Sequence, residues 1–349
     1  MQVTIIRHSI RNRGGDKLTL DYANYLAKKG HSILYWTNEV NTHYYIDPNI
    51  IINKIPIPGI LGTIIFALIS KFKTDVVIVD LILIACLAYI RNRKKILYIA
   101  ADYDVNYYKS KILRYFNDYC YKIAFKIFNI RSIAVSKGLF HILQTYQPKN
   151  ITIISNGVDL SIYYKQTSSS YNNQKNNPYV ILLFAREDYR KGLDIGEKAI
   201  EELSKIRKIH DWEVWTIGSA KINLSNNIKV KSFGFINTDE NLKDILSVAD
   251  IYIVPSRSEG LSFLLLQALA CECAIVSTTA AHIIDHEING LISPVEDWKS
   301  LANNLNTILE NDELRVKLQI NARSLSEKYS LEKSCEKFLK LLNTHFSVI

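Results

Sequence analysis

ADIYIVPSRSEGLSFLLLQALA, residues 249–270, is the stretch whose reading decides the fold. Residues 251–254 form a short β-branched and aromatic run of the kind that makes a buried strand, and Pro255 closes it. From Leu264 to Ala270 the chain is a continuous run of apolar helix formers. A strand that turns directly into a helix is half of a parallel βαβ unit, and in such sheets ligands gather at the carboxyl ends of the strands. Glu259 stands in that turn. The N–H groups of Gly260, Leu261, Ser262 and Phe263, with the positive end of the helix behind them, suit a diphosphate. Glu259 beside such a phosphate would accept hydrogen bonds from neutral hydroxyls, as sugar recognition requires. An acidic residue is also favourable at a helix N-terminus with no ligand at all, and the pattern alone leaves both readings open.

Upstream, residues 179–184 read as another strand, followed by Arg186 and, five residues on, Lys191-Gly192. Two cations at a strand-to-helix turn either clamp phosphate oxygens or sit solvated at the surface. Further strands are expected at 212–217, 228–233 and 274–277, and in the first half at 3–6, 32–37, 76–80, 95–100, 132–135 and 151–154. Strands alternating with helices imply parallel sheets, hence two doubly wound α/β domains. TSSSYNNQKNNP (167–178) has almost nothing to bury and reads as a linker or long loop. The expected division is a first domain at 1–165, a linker at 166–178, a second domain at 179–330 and a last helix at 331–349. That helix places Phe338, Leu339, Leu341 and Leu342 on one side, and Phe346, Val348 and Ile349 extend its apolar character.

The chain has 349 residues, too many for one ordinary core, and its 48% hydrophobic and 22% charged content excludes disordered, collagen-like and coiled-coil classes. Five cysteines without a CxxC pair argue against a disulfide framework or a zinc site, and point to a reducing cytoplasm. The N-terminus lacks the pattern of a signal peptide. The most apolar stretch, 76–90, is broken by Asp80 and is too short to span a bilayer. His282 and His286 have a metal-ligand spacing but no HExxH and no third ligand, so no metal site is expected. Ser136 and Ser256 lack the GxSxG elbow of an acyl-transfer serine.

Charge divides the chain. Residues 1–165 hold 22 Lys and Arg against 10 Asp and Glu, whereas the remainder holds 21 against 24. A basic first half suits an anionic partner. Nucleic acid is the weaker choice, for no nucleic-acid module is present. From Lys109 to Arg131, basic residues interleave with Ile112, Leu113, Tyr115, Phe116, Tyr119, Ile123 and Phe128. This is either a helix for an anionic bilayer surface or an ordinary helix whose apolar stripe faces the core. Ile60, Leu61, Ile64, Ile65, Leu68 and Ile69 form a second apolar segment, for which core packing is the simpler role.

Gly14-Gly15 follows the first strand and precedes a helix over 16–29, with Leu18, Tyr22, Tyr25 and Leu26 near helical spacing and Gly30 at its end. The glycine pair is either a plain tight turn or a loop that lets a substrate approach the helix. No GxGxxG follows it. His8, after the first strand, either contacts a substrate or caps the strand end.

Together FAREDYRKGLD (184–194), WTIGSA (215–220), FGFI (233–236), the 249–270 stretch and NGLISP (289–294) resemble glycosyltransferase family 4. In the first half LAKKGH (26–31), AVSKGL (134–139) and SNGVD (155–159) are similar to that family's N-terminal domain and hinge entry. The resemblance implies a GT-B fold, two Rossmann-like doubly wound domains facing a cleft, and transfer of a sugar from a nucleotide-sugar with retention and without a metal or other cofactor. It implies that Arg186 and Lys191 neutralise the donor diphosphate and that Glu259 binds sugar hydroxyls. It further implies that the amides of Gly260 to Phe263, with Gly14, Gly15 and Gly218, line the donor site. The donor would be a UDP-, GDP- or dTDP-sugar and the acceptor a glycan or lipid-linked glycan. Apart from the resemblance, the cysteine usage and the basic, amphipathic first half lead to the expectation of a cytoplasmic enzyme, peripheral on the inner face of the plasma membrane.

Three departures from the family pattern stand out. The second glutamate, eight positions after Glu259, is Gln267; the usual glycine before the next strand is Glu272; and where many members carry a histidine, Asp102 is the nearest substitute, unless it caps the next helix. YIAADYDVNYY (98–108) is similar to rhamnosyltransferase-like members. A non-catalytic protein of the same fold that binds nucleotide-sugar or glycan is the alternative.

Overall fold

The computed structural model describes residues 1–346. The chain divides into two compact units. One holds Met1–Asn156 and the chain from Glu332 on, the other Gly157–Leu331.

In the first unit the elements run β1 (Gln2–Ile6), β2 (Ser9–Ile10), α1 (Gly14–Lys28), β3 (Ser32–Thr37), β4 (Glu39–Val40), β5 (Ile50–Lys54), α2 (Gly59–Ile69) and β6 (Val76–Val79). They continue with α3 (Ile82–Arg91), β7 (Ile96–Ala100), α4 (Lys111–Lys122), β8 (Arg131–Ala134), α5 (Lys137–Gln144) and β9 (Ile151–Ile153). Seven strands form a sheet in the order β5-β3-β1-β6-β7-β8-β9. Every pairing is parallel, with Val3 opposite both Ile33 and Val76. The short β5 was not expected from the sequence: Ile51 and Ile52 are exposed on this edge strand, so no buried face marks it.

The second unit contains β10 (Tyr179–Phe184), α6 (Leu193–Ile206), β11 (Trp212–Ile217), β12 (Val230–Ser232), α7 (Asp239–Val248), β13 (Ile251–Val254), α8 (Phe263–Ala270), β14 (Ala274–Thr278), β15 (Leu291–Ser293), α9 (Trp298–Glu310) and α10 (Asp312–Lys328). Its sheet is again all parallel, in the order β12-β11-β10-β13-β14-β15. The inner strands are buried along their length, so they read as unbroken apolar runs rather than alternating ones. Trp212, Ile181 and Val276 of this sheet are fully buried with Leu203 of α6 and Leu305 of α9.

Of the two readings of the polar segment 167–178 it is the long loop and not a linker between the units; it lies wholly within the second. Tyr171 packs edge-on against Trp215 and Phe233, Asn177 donates to the Trp212 carbonyl at 2.6 Å, and Lys175 pairs with Asp250 at 2.9 Å. Ring contacts, a hydrogen bond and an ion pair hold the segment, and composition does not reveal them. The chain passes from the first unit to the second at Asn156–Gly157 instead. A Cβ at Gly157 would lie 2.3 Å from the Leu331 Cα, so glycine lets the two passing segments touch.

The last helix, α11 (Leu331–Phe346), belongs from Glu332 on to the first unit and packs against α1. The Tyr22 and Phe338 rings stack with centroids 4.0 Å apart. Ser334 Oγ lies 3.2 Å from the Tyr22 hydroxyl and donates to the Ser155 carbonyl at 2.6 Å. Phe346 is buried, whereas Val348 and Ile349 lie outside the described residues.

Candidate active site

In the second unit the strand order reverses between β10 and β13, which leaves a crevice outside their carboxyl ends. The chain after β10 carries Arg186 and Lys191; the chain after β13 carries Glu259. The geometry brings the last two together. Lys191 Nζ donates to both carboxylate oxygens of Glu259, at 2.8 and 2.7 Å, and Ser256 Oγ donates to Oε1 at 2.7 Å. The pair is largely removed from water, with side chains 19% and 7% exposed. Arg186 is half-buried, and its charge helps to hold the Asp188 carboxyl below the ordinary range, against burial and after Arg190.

Backbone geometry explains how Lys191 reaches this point. Gly192 adopts φ +63°, and a Cβ there would lie 2.0 Å from the Pro255 carbonyl oxygen. Only glycine lets the turn after β10 press against the end of β13. Gly218, at φ +110°, does the same after β11, where a Cβ would fall 2.2 Å from the Ala185 oxygen. Ser262 caps α8 by accepting from the Leu265 amide at 3.3 Å, so the helix begins at Phe263 and its N-terminal end lies beside Glu259. Lys191, Glu259, Ser256 and Ser262 share one small recess with Phe184 and Pro255. Gln267 is buried on the second turn of α8.

Sequence reasoning missed Arg257. Its backbone N–H donates to the Arg190 carbonyl at 2.7 Å, and Nη1 donates to the Tyr189 carbonyl at 2.9 Å. Its guanidinium forks onto Asp194 at 2.8 and 2.7 Å, pairs with Glu296 at 2.5 Å and covers the Tyr189 ring at 4.0 Å. One side chain therefore ties the Lys191 turn, the first turn of α6 and the loop after β15 to the segment that holds Glu259. The only signal in the sequence was its position two residues before Glu259.

The first unit has its own reversal, between β1 and β6. Arg7 follows β1 and Asp80 follows β6, and they form an ion pair. Arg7 Nε also donates to Asp16 at 2.6 Å, and Nη1 to the Gly15 carbonyl at 2.8 Å. Burial pushes the Asp80 carboxyl up, against the pull of Arg7. Gly14 and Gly15 are not a loop before the helix: they form its first turn. A Cβ at Gly15 would sit 2.9 Å from the Arg7 guanidinium, so glycine serves the close approach of Arg7. His8 is held by Thr63 at 3.2 Å, and burial, then Arg11 and Arg13, keep its pKa below 6.5, which favours the neutral ring.

Asp102 accepts from the Tyr103 amide at 2.8 Å. Asp104 accepts from the Ile82 amide at the start of α3 at 2.7 Å. Ser136 is the N-cap of α5, accepting from the Leu139 amide at 3.1 Å. His286 lies outside any helix and accepts from the Ile292 amide at 2.9 Å.

Comparisons with known proteins bear on the fold. Residues 13–162 match the model of Glycosyltransferase Family 4, and residues 165–325 that of Glycosyl transferases group 1. An uncharacterized glycosyltransferase of Haemophilus influenzae is 24% identical over 359 residues, covering 94% of this chain and 96% of its own length. The Campylobacter jejuni "GalNAc-alpha-(1->4)-GalNAc-alpha-(1->3)-diNAcBac-PP-undecaprenol alpha-1,4-N-acetyl-D-galactosaminyltransferase" is 22% identical over 369 residues, covering 98% of each chain. Among solved structures, a sucrose-phosphate synthase from Thermosynechococcus elongatus aligns with a TM-score of 0.81 at 15% identity, over 98% of each chain. HepE of Anabaena, in complex with UDP and glucose, aligns with a TM-score of 0.77 at 18% identity, over 99% of this chain and 100% of its own. These likenesses show the fold.

Proposed function

The chain belongs to glycosyltransferase family 4 and has the GT-B fold, and from that premise we propose that it moves a hexosyl or deoxyhexosyl residue from a nucleoside-diphosphate sugar to a lipid-linked or surface glycan, with retention at the anomeric carbon. The observation that carries the proposal is the Lys191–Glu259 pair, set beside the N-terminus of α8 where the strand order reverses. An ammonium group with three donors can turn one of them to a phosphate oxygen while keeping a carboxylate. Glu259 is then free to accept from donor-sugar hydroxyls.

As the bond between the anomeric carbon and the diphosphate breaks, its electron pair stays on the phosphate oxygen. Lys191 and Arg186 answer that charge, aided by the amides of Gly260, Leu261, Ser262 and Phe263 at the helix end. Two fixed cations supply what a bound metal would otherwise supply, so activity should survive chelation with EDTA. Gln267 can donate to and accept from ribose hydroxyls without charge. Support for a nucleotide-sugar donor comes from HepE, solved with UDP and glucose, and for a lipid-linked acceptor from the Campylobacter relative, named for a diphospho-undecaprenol substrate.

Thermal unfolding with UDP, GDP, dTDP and ADP tests the reading, since a ligand that binds only the folded state raises its stability. A shift with one diphosphate that disappears in Lys191→Ala supports the donor site. The absence of any shift rejects it. A shift without turnover across a panel of donors and acceptors supports the non-catalytic alternative, which the neutral Gln267 favours.

A further inference from the structure

Helix α4 departs from the usual amphipathic plan. Asn117, Cys120 and Tyr121, spaced i, i+3 and i+4, form its buried stripe, which Ala124 continues at i+7 in the helical turn that follows. Ile112, Tyr115, Phe116 and Tyr119 have the same spacing on another face, where a surface helix should be polar. They are 81%, 73%, 46% and 55% exposed. The apolar stripe seen in the sequence therefore faces away from the core.

Around it stand Lys109, Lys111, Arg114 and Lys126, all exposed and none in an ion pair among the described residues; Lys122 pairs with Asp118. Helix α3 packs between α4 and α2. On α2, Ile60, Leu61 and Ile69 are 66%, 67% and 58% exposed, Leu68 is exposed as well and Ile64 and Ile65 are half-buried, so the core-packing role expected for this segment is not met. One side of the first unit thus presents two apolar ridges with unpaired cations beside one of them.

We propose that the α4–α2 side of the first unit docks on an anionic lipid bilayer, with Ile112 and Phe116 entering the acyl boundary and Tyr115 and Tyr119 at headgroup level. Charge decides the occupant. A protein groove would be expected to meet this stripe without four free cations, whereas lysine and arginine beside aromatic and aliphatic residues answer both parts of an anionic lipid surface. Helix α4 has 12 residues and is about 18 Å long, short of the ~30 Å of a hydrocarbon core, so it lies on the bilayer rather than across it. No described helix is long and apolar enough to cross a membrane.

The test is sedimentation of the full chain with vesicles of phosphatidylcholine plus phosphatidylglycerol, and of phosphatidylcholine alone, at low and high salt. The expected result is binding to the anionic vesicles, weakened by salt. The triple variant Ile112→Ser/Phe116→Ser/Tyr119→Ser and the variant Lys111→Glu/Arg114→Glu should each lower the partition coefficient at least about tenfold. Ile320→Ser, at an exposed position of the second unit, should leave it unchanged. The altered side chains are at the surface, and unchanged melting of each variant checks the fold. No binding of the unaltered chain to anionic vesicles at low salt overturns the proposal. Equal loss with Ile320→Ser overturns it too. So does self-association that the triple variant abolishes while lipid binding persists, for the face would then serve a second copy.

Discussion

Lys191 Nζ donates to both carboxylate oxygens of Glu259, at 2.8 and 2.7 Å, across 68 residues of sequence. Glu259 is almost sealed from water, and Lys191 is its only cationic partner among the described residues. Removing one partner should therefore harm both folding and chemistry.

Lys191→Ala is expected to lower unfolding stability by about 2–3 kcal/mol, less than the ~3–5 of a fully buried pair because Lys191 keeps some contact with water. It should lower kcat/KM by about 10²–10³-fold, as loss of one charge-stabilising donor does. Lys191→Met/Glu259→Gln, which leaves no orphaned charge, should recover most of the stability and none of the activity. Recovery of both would show that the pair is structural only.

Arg257 is expected to position the site. Arg257→Lys keeps the charge but cannot fork onto Asp194 while holding Glu296, and should lower kcat/KM about tenfold through misalignment of the Lys191 turn. Lower turnover with unchanged melting, and without a change in the linkage to acceptor, is the signature sought. A loss that merely follows melting would make Arg257 a structural residue.

The hydrogen bond from Arg257 holds the Asp194 carboxyl below its ordinary 3.8. A carboxyl depressed by folding adds stability that is complete above its unfolded pKa and is lost as pH falls through the lower folded value. Acid titration of unfolding stability should show the unaltered protein and Arg257→Gln converging as pH drops below about 3.8 and separating above it. A gap that is constant across that range would contradict the linkage.

Helix α8 closes with the Glu272 amide on the Leu269 carbonyl, at 3.1 Å, and the Cys273 amide on Ala268, at 2.9 Å. Helix α1 closes in the same way around Gly30. At the left-handed position α1 uses glycine at φ +82°, whereas α8 uses Glu272 at φ +59°. Glu272→Gly should therefore stabilise the protein by up to about 1 kcal/mol, seen as a higher melting temperature. Glu296 is also left-handed, at φ +69°, but its carboxylate holds Arg257. Glu296→Gly should show no such gain.

Phe338 is fully buried against Tyr22. Phe338→Ala should cost about 3–5 kcal/mol in denaturant unfolding, felt in the first unit. An effect confined to the second unit would contradict the placement of α11.

Much of the fold was legible because buried parallel strands are unbroken apolar runs: residues 179–184, 212–217 and 251–254 were read from the sequence with the bounds they have in the structure. The edge strand β5 and the short β15 escaped, the first because its residues are mostly exposed, the second because three residues carry little pattern. The positions of Lys191 and Glu259 after β10 and β13 were equally legible, since turns after parallel strands are local features.

Their meeting was not local. Pattern shows that a side chain leaves a strand's carboxyl end; only the strand order β11-β10-β13 makes the turns after β10 and β13 neighbours. The same division separates Arg257, whose partners lie 63 and 39 residues away, and the segment 167–178, whose polar groups find bonds in the second unit. Helix α4 shows it most directly. By itself the sequence determined that this helix carries apolar residues at helical spacing, because that follows from 3.6 residues per turn. Which stripe the core covers was decided by the neighbours that α4 packs against, and those the tertiary structure alone supplies.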